Sequence, residues 1–479
     1  MDNTIKKNIS YQTIYQILTI ITPIITAPYV SRILGAKQLG VFSYTSSIVA
    51  YFTLFAMLGT VNYGTKVIAS CIKEKCLLSL RFFSIYAFQV LTCLAAVILY
   101  ICFVPFMESE DRIIAYLQSI SIIACFVDVN WFLFGLEQFA VITIRNILVK
   151  VTTVIAILTL VKSEADLGLY IVIMLGGTLL SNCIAFGLLK KYISFVKISW
   201  TDINMHIKPN LKLFFPLLAI SVYHIMDKTM LGIFSSYVEC GYYYNADKLI
   251  NIPLCVINGV GIVMLPRISN LIANNKHSDV LKLFGISLEM IIAVGVAMSV
   301  GIASISNEFV PFFFGAGFDS CIFLTYVFAP ILLIKGIVHT IRMQYLIPYS
   351  RDKEFLYSVC IGAITNLVLN LVFIPKYAAL GAVIGTLGAE GLACLYQLYN
   401  IRNNIDIKIF TKNICIYSIL GTILFLCVRA CALIDANISI KIILEISTGA
   451  VVYGVLVFLY WYYKKRVYLS YILPKIFPM

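Results

Sequence analysis

Charge is what this sequence has least of. Only 12% of its 479 residues are Asp, Glu, Lys or Arg, against about 25% in an ordinary soluble domain, which excludes a water-facing surface over most of the chain. Histidine is scarcer still: His206, His224, His277 and His339 are all there are, and none has the close spacing of a metal site. No GxxxxGK[ST] loop is present, so the chain has no phosphate cradle with which to hydrolyse ATP itself. The 14 cysteines include no CxxC and no Cys/His spacing. Cys93, Cys102, Cys125, Cys183, Cys255, Cys360, Cys394 and Cys427 lie inside apolar stretches and read as small buried hydrophobes. The opening MDNTIKKNISYQTIYQ lacks a small-residue cleavage site and reads as a tail leading into a retained first helix.

What is abundant is apolar: 61% of residues, with a mean hydropathy of +0.94. Stretches long enough to cross about 30 Å of hydrocarbon recur from end to end, and backbone in that setting satisfies its own hydrogen bonds as helix. The expected fold is an all-α integral membrane protein of about 14 spans, near 9–30, 41–63, 82–105, 113–134, 140–161, 167–189, 211–234, 243–265, 284–309, 319–341, 355–374, 380–401, 411–432 and 440–463. Lys and Arg concentrate in the connections at 66–81, 190–212, 267–282 and 402–412 and in the tail 464–475, whereas MESEDR (107–112), KSEAD (162–166) and SSYVEC (235–240) are poor in them. That bias puts both termini in the cytosol. The formal charge of +13 is therefore a topology signal, and a nucleic-acid partner is not expected.

A weak internal repeat sets LGVFSYTSSI (39–48) against CGYYYNADKL (240–249), YGTKVIAS (63–70) against MLPRISNL (264–271), and FVPFM (103–107) against FVPFF (309–313). It suggests two six-helix lobes in parallel repeat, 1–200 and 201–402, with two further helices and a cytosolic tail in 403–479. Such halves commonly enclose a substrate site.

Ionised side chains inside a span cost several kcal/mol and mark functional candidates. Asn146, Lys150 and Thr153 share a helical line beside Arg145, and Ser221, His224 and Lys228 share one beside Asp227. Lys248, Asn251, Cys255 and Asn258 follow a stripe beside Asp247; Lys335, His339 and Arg342 make another. Ser358, Gly362, Asn366 and Asn370 recur every four residues, and Thr386, Glu390 and Gln397 line one face. Six polar stripes point to a wet, cationic lumen between the lobes. Its substrate-binding candidates are Arg145, Asn146, Lys150, Lys228, Lys248, Asn251 and Arg342. Asp128, Asp227, Asp247 and Glu390 are candidates for ion coupling or gating. The blander readings are lysines snorkelling to an interface, Asp227–Lys228 and Asp247–Lys248 as a structural clasp, and Arg342 as a topology signal. In DVNWFLFGLEQFAVITIRN (128–146), Gly135 to Gln138 reads as a cytosolic turn, Glu137 as a capping carboxylate and Trp131 as an interface anchor.

ILGAKQLGVFSYTSSI, WFLFGLEQF, YYYNADKLINIP (242–253), MLPRIS (264–269), QYLIPYSRDKEF (344–355) and GAVIGTLGAE (381–390) occur in that order. The ordered set resembles the Wzx-type O-antigen and polysaccharide repeat-unit flippases of the multidrug/oligosaccharidyl-lipid/polysaccharide exporter superfamily. The resemblance implies translocation, without enzymatic chemistry, of an undecaprenyl-pyrophosphate-linked oligosaccharide from the cytosolic to the periplasmic leaflet of a bacterial inner membrane. It implies alternating access between two lobes, with Arg145 and Lys150 in one and Lys228 and Lys248 in the other on a cationic surface. A polysaccharide polymerase and a chain-length regulator are the protein partners it suggests. No cofactor is expected beyond a coupling H⁺ or Na⁺. The rival readings are a cation-coupled drug or toxin antiporter of the same superfamily and a membrane polysaccharide polymerase or ligase. The short outer connections disfavour the last of these.

Overall fold

The computed structural model of the chain describes residues 3–403 and 406–464; the basic tail from residue 465 lies outside them. Among the described residues the regular structure is entirely helical, and eleven helical runs are long and apolar enough to cross a membrane. A bent pair, Trp200–Phe215 with Leu218–Phe234, makes a twelfth. The chain is an integral membrane protein.

The fourteen expected segments fall on these twelve runs because two runs each hold two segments. Helix α1 (Asn3–Met57) is broken at Gly35 (φ 70°, ψ 174°), a conformation open to glycine because it has no Cβ. After it come α2 (Thr60–Cys71), α3 (Lys75–Phe103), α4 (Arg112–Gln118), α5 (Ile120–Phe126), α6 (Asn130–Gly135), α7 (Phe139–Leu160), α8 (Leu167–Leu188), α9 (Trp200–Phe234), α10 (Tyr237–Ala273), α11 (His277–Phe314), α12 (Ser320–Phe328) and α13 (Ile331–Ile341). A π-turn (Arg342–Leu346) extends α13, and α14 (Asp352–Ile401), α15 (Ile407–Cys431) and α16 (Ile438–Lys464) complete the chain.

In α14 the backbone leaves helical geometry at Ala378 (φ 49°, ψ −125°), shortly after Pro375 has removed one backbone donor. The halves then run back along each other: Gln397 Nε2 donates to Ser358 Oγ (2.9 Å), and a methyl added at Gly381 or Gly385 would collide with the Phe373 carbonyl or with Asn370. This explains two of the polar stripes. Ser358, Asn366, Asn370, Thr386, Glu390 and Gln397 are all buried, and Asn370 Nδ2 donates to Asn366 Oδ1 (3.1 Å). The expected wet faces of these two spans are instead a hydrogen-bonded helix seam of the kind small residues permit in membranes.

The chain divides into two compact units, Met1–Tyr244 and Asn245–Met479. In the first, α1 packs on α3, α7 and α9, and α2 packs on α6. Its core includes Phe82, Trp131, Phe132 and Leu133, all within 1% of full burial. Trp131 is thus not an interface anchor. Its indole stacks on Phe82 (5.6 Å between centroids) and donates to Gln89 Oε1 (2.9 Å), so its polar handle is satisfied inside the protein. In the second unit α11 packs on α13, α15 and α16 around Phe284, Ile292, Ile341 and Tyr417. No disulfide joins the 14 cysteines; Cys93, Cys125 and Cys394 are buried, whereas Cys102, Cys183 and Cys255 are exposed on their helices.

Candidate functional site

The fourth span is where the apolar pattern and the backbone part company. Its sequence reads as one helix, but it breaks into α4, α5 and α6, with Val127 (ψ 8°) and Val129 (ψ 20°) outside helical geometry. A break inside a membrane frees backbone carbonyls that lipid cannot satisfy. Side chains from two neighbouring helices take them up. Gln89 on α3 donates to the carbonyls of Cys125 (2.6 Å) and Asp128 (2.9 Å), and Asn182 on α8 donates to that of Ala124 (3.1 Å).

The break carries Asp128 and Asn130, and α7 brings Arg145 and Asn146 against them. Asp128 Oδ1 accepts from the Asn130 backbone N–H (3.0 Å) and from its Nδ2 (2.7 Å). Asn130 Nδ2 also reaches Asn182 Oδ1 (3.2 Å). Arg145 gives Nη2 to Asn130 Oδ1 (2.7 Å) and to Asn146 Oδ1 (2.9 Å), with Nε also on Asn146 (3.2 Å). Ser181 adds a bond to Asn146 Oδ1 (2.9 Å). Thus Asp128, Arg145 and Asn146 are brought together, with Asn130 as the junction; Gln89 and Asn182 support it from behind.

A cavity of about 270 Å³ opens on this cluster, walled by Asp128, Asn130, Thr143 and Asn146 and by Phe134 and Phe139. Arg145 is not on its surface: the side chain is 6% exposed and turned into the helix contacts. What faces the cavity is neutral amide, carboxylate and aromatic ring. The bonds above leave the Asn146 amide nitrogen and Asp128 Oδ2 unspent, a donor and an anionic acceptor on one wall. The turn expected at Gly135 to Gln138 is present between α6 and α7, with Glu137 exposed and in the left-handed region (φ 56°). Lys150 is half-buried farther along α7.

The other candidates divide between the units. In the first, Asp227 is 4% exposed and accepts from Tyr243 Oη (2.6 Å), while Lys228 Nζ lies 5.5 Å from the Tyr244 ring centroid. In the second, Asn251 is exposed and bonds back to the Asp247 carbonyl (2.8 Å) and carboxylate (2.9 Å) one turn earlier; Lys248 is half-buried beside them. The Arg342 guanidinium covers the Phe355 ring at 5.0 Å. Glu390 is 7% exposed and pairs with Lys335 Nζ at 3.7 Å.

Two buried carboxylates in the second unit escape sequence reading. Glu289 on α11 accepts from Asn413 Nδ2 and Tyr417 Oη, both at 2.8 Å, and Tyr417 in turn accepts from Trp461 Nε1 (2.7 Å). Glu445 on α16 is completely buried. Each is an isolated acid in an apolar stretch of its helix, and only the packing of three helices reveals its surroundings.

Residues 5–272 match the polysaccharide biosynthesis protein family. The chain belongs to that family. The "Putative O-antigen transporter" of Escherichia coli (strain K12) is 20% identical over 406 residues, covering 84% of this chain and 97% of its own. A solved lipid II flippase, MurJ in an inward closed conformation, aligns with a TM-score of 0.75 at 18% identity, over 95% of this chain and 98% of its own. An inward-facing multidrug resistance MATE family transporter aligns with a TM-score of 0.62 at 12% identity, over 83% and 98%. These structural likenesses concern the fold. This member of the polysaccharide biosynthesis family is a multi-pass membrane transporter, and it is not an enzyme.

Proposed function

We propose that the chain moves an undecaprenyl-pyrophosphate-linked oligosaccharide from the cytoplasmic to the periplasmic leaflet of a bacterial inner membrane by alternating access. Both termini would be cytosolic, and residues 1–200 and 201–402 would act as the moving lobes. The glycan would go on to O-antigen or another surface polysaccharide, with a polymerase and a chain-length regulator as the proteins next in line.

The observation that carries this reading is the cavity at the interrupted fourth span. Discontinuous spans with polar walls are how transporters build sites at membrane depth. Sugars need their hydroxyls hydrogen-bonded as they leave water, since stripped hydroxyls cost several kcal/mol each. Amide and carboxylate groups beside aromatic rings meet that need. Arg145, held behind the wall with Lys150 farther along the helix, would supply positive potential for the pyrophosphate. Lys228, Lys248, Asn251 and Arg342 are proposed to continue the path, and Asp128, Asp227, Asp247 or Glu390 to exchange a coupling H⁺ or Na⁺.

The same cavity gives one reason to keep the antiporter reading, because a carboxylate beside Phe134 and Phe139 also suits an organic cation. One experiment separates the two: transbilayer movement of an undecaprenyl-pyrophosphate oligosaccharide and of a cationic dye in proteoliposomes. Wild type is expected to move the lipid-linked sugar, and Arg145→Ala/Lys150→Ala to lose about tenfold or more, a deficit of about 1.4 kcal/mol. Dye export without sugar movement would replace the flippase reading with the antiporter one.

A further inference from the structure

Helices α11, α15 and α16 are joined by buried carboxylates near both ends, and the two differ in one respect. Glu289 has an Asn and a Tyr donating to it. Glu445 is 0% exposed, and neither of its carboxyl oxygens has a hydrogen-bond partner. The charged groups facing it are Glu308 from α11, Arg429 from α15 and Lys441 from its own helix. Both cations are committed elsewhere: Arg429 Nη1 lies 2.9 Å from Glu308 Oε2 and 3.1 Å from the Ser304 carbonyl, and Lys441 Nζ lies 4.0 Å from Glu308 Oε1. One turn further along α16 the contact with α15 is close, since a methyl at Gly449 would come within 3.2 Å of Val428.

We propose that Glu445 is a proton-binding site. An ionised carboxylate with no donor from the protein around it is unfavourable, and the smallest ligand that neutralises it is H⁺, forming an O–H bond on one carboxyl oxygen with water as the proton source. A route exists. Lys441 lies one turn above Glu445 on the same face, and the side chains of Arg429 and Lys441 are 29% and 23% exposed. The charged layer directly over the acid is therefore open from that end of the three helices. The proton-loaded side chain lets α16 seat fully against α15. Loss of the proton places an unsatisfied charge in that contact and loosens it. This site is separate from the transport path proposed above and does not depend on the identity of the cargo.

Two measurements on the full-length protein test it. A hydrophobic carbodiimide adds only to protonated carboxyls, so peptide mass spectrometry should find an adduct on Glu445 in acidic buffer that falls several-fold in alkaline buffer. The thermal unfolding midpoint of wild type should drop as pH rises, because the folded state must then hold a proton against falling proton activity. Glu445→Gln, which mimics the protonated group, should lose most of that slope. An adduct at Glu445 that does not fall in alkaline buffer, or an unchanged slope in Glu445→Gln, overturns the proposal. If Glu445→Gln does not fold, the labelling of wild type decides.

Discussion

Arg145 holds two amide oxygens at once, and its flat guanidinium is the only side chain that can reach both Asn130 and Asn146 in this way. Lysine offers a point charge on a flexible stem and would keep at most part of the arrangement. Arg145→Ala should therefore cost about 1.5–3 kcal/mol, the range for hydrogen bonds involving a charged partner. Arg145→Lys should cost about half as much, as read by thermal unfolding in detergent. Asp128→Asn tests the cavity surface separately. An asparagine oxygen can still accept the Asn130 backbone N–H, so stability should change by less than about 1 kcal/mol. Transport should nonetheless fall, because the anionic acceptor is gone. Equal transport by wild type and Asp128→Asn would remove that carboxylate from the proposed mechanism.

Two elements show how far the chain's pattern can be read. Where the spans lie, and the turn from Gly135 to Gln138, follow from apolar stretches and turn chemistry alone. The break in the fourth span does not, because valines occupy both sides of Asp128 and the apolar run continues through it. What sustains it is a residue in another helix. Gln89 serves two freed carbonyls and the Trp131 indole; nothing about a lone glutamine in α3 announces this. Gln89→Leu should strip the Asp128 carbonyl and the Trp131 indole of that partner, the Cys125 carbonyl keeping a backbone N–H, and cost about 2 kcal/mol or more, lowering the unfolding midpoint and the yield of folded protein. The α14 break at Ala378 falls in the gap between the spans expected at 355–374 and 380–401, but what covers its polar stripe was hidden in a similar way. Its every-fourth-residue stripe is real, but periodicity identifies a face without saying what covers it, and here the cover is the helix's own second half. Gly385→Val should overpack that seam by about 1–3 kcal/mol, visible as a lower midpoint, whereas the same change at Gly391, which has no neighbour within 4 Å, should be mild.

For the whole molecule, the sequence carries a direction as well as a fold. The basic connections predict which side of the membrane each loop faces, and a cysteine-free version of the chain makes this measurable. A single cysteine at Glu108 should react with a membrane-impermeant maleimide applied to intact spheroplasts. One at Lys197 should react only after lysis, and the reverse pattern would invert the topology and every statement about which leaflet is loaded first. The candidate site was legible in its residue types and in the grouping of Asp128, Arg145 and Asn146. It was not legible in its layering. Sequence alone cannot tell a cation on a surface from one behind it, because the difference is made by Asn130, Asn182 and Ser181 arriving from other segments.

That layering has a consequence for how such a protein can diversify. The positive charge is anchored by amides one layer back, while Thr143, Phe134 and Phe139 form the replaceable front of the cavity. Changes to the front can retune which cargo fits without dismantling the field behind it, so new specificities are open to small mutational steps that leave the scaffold's charge architecture in place.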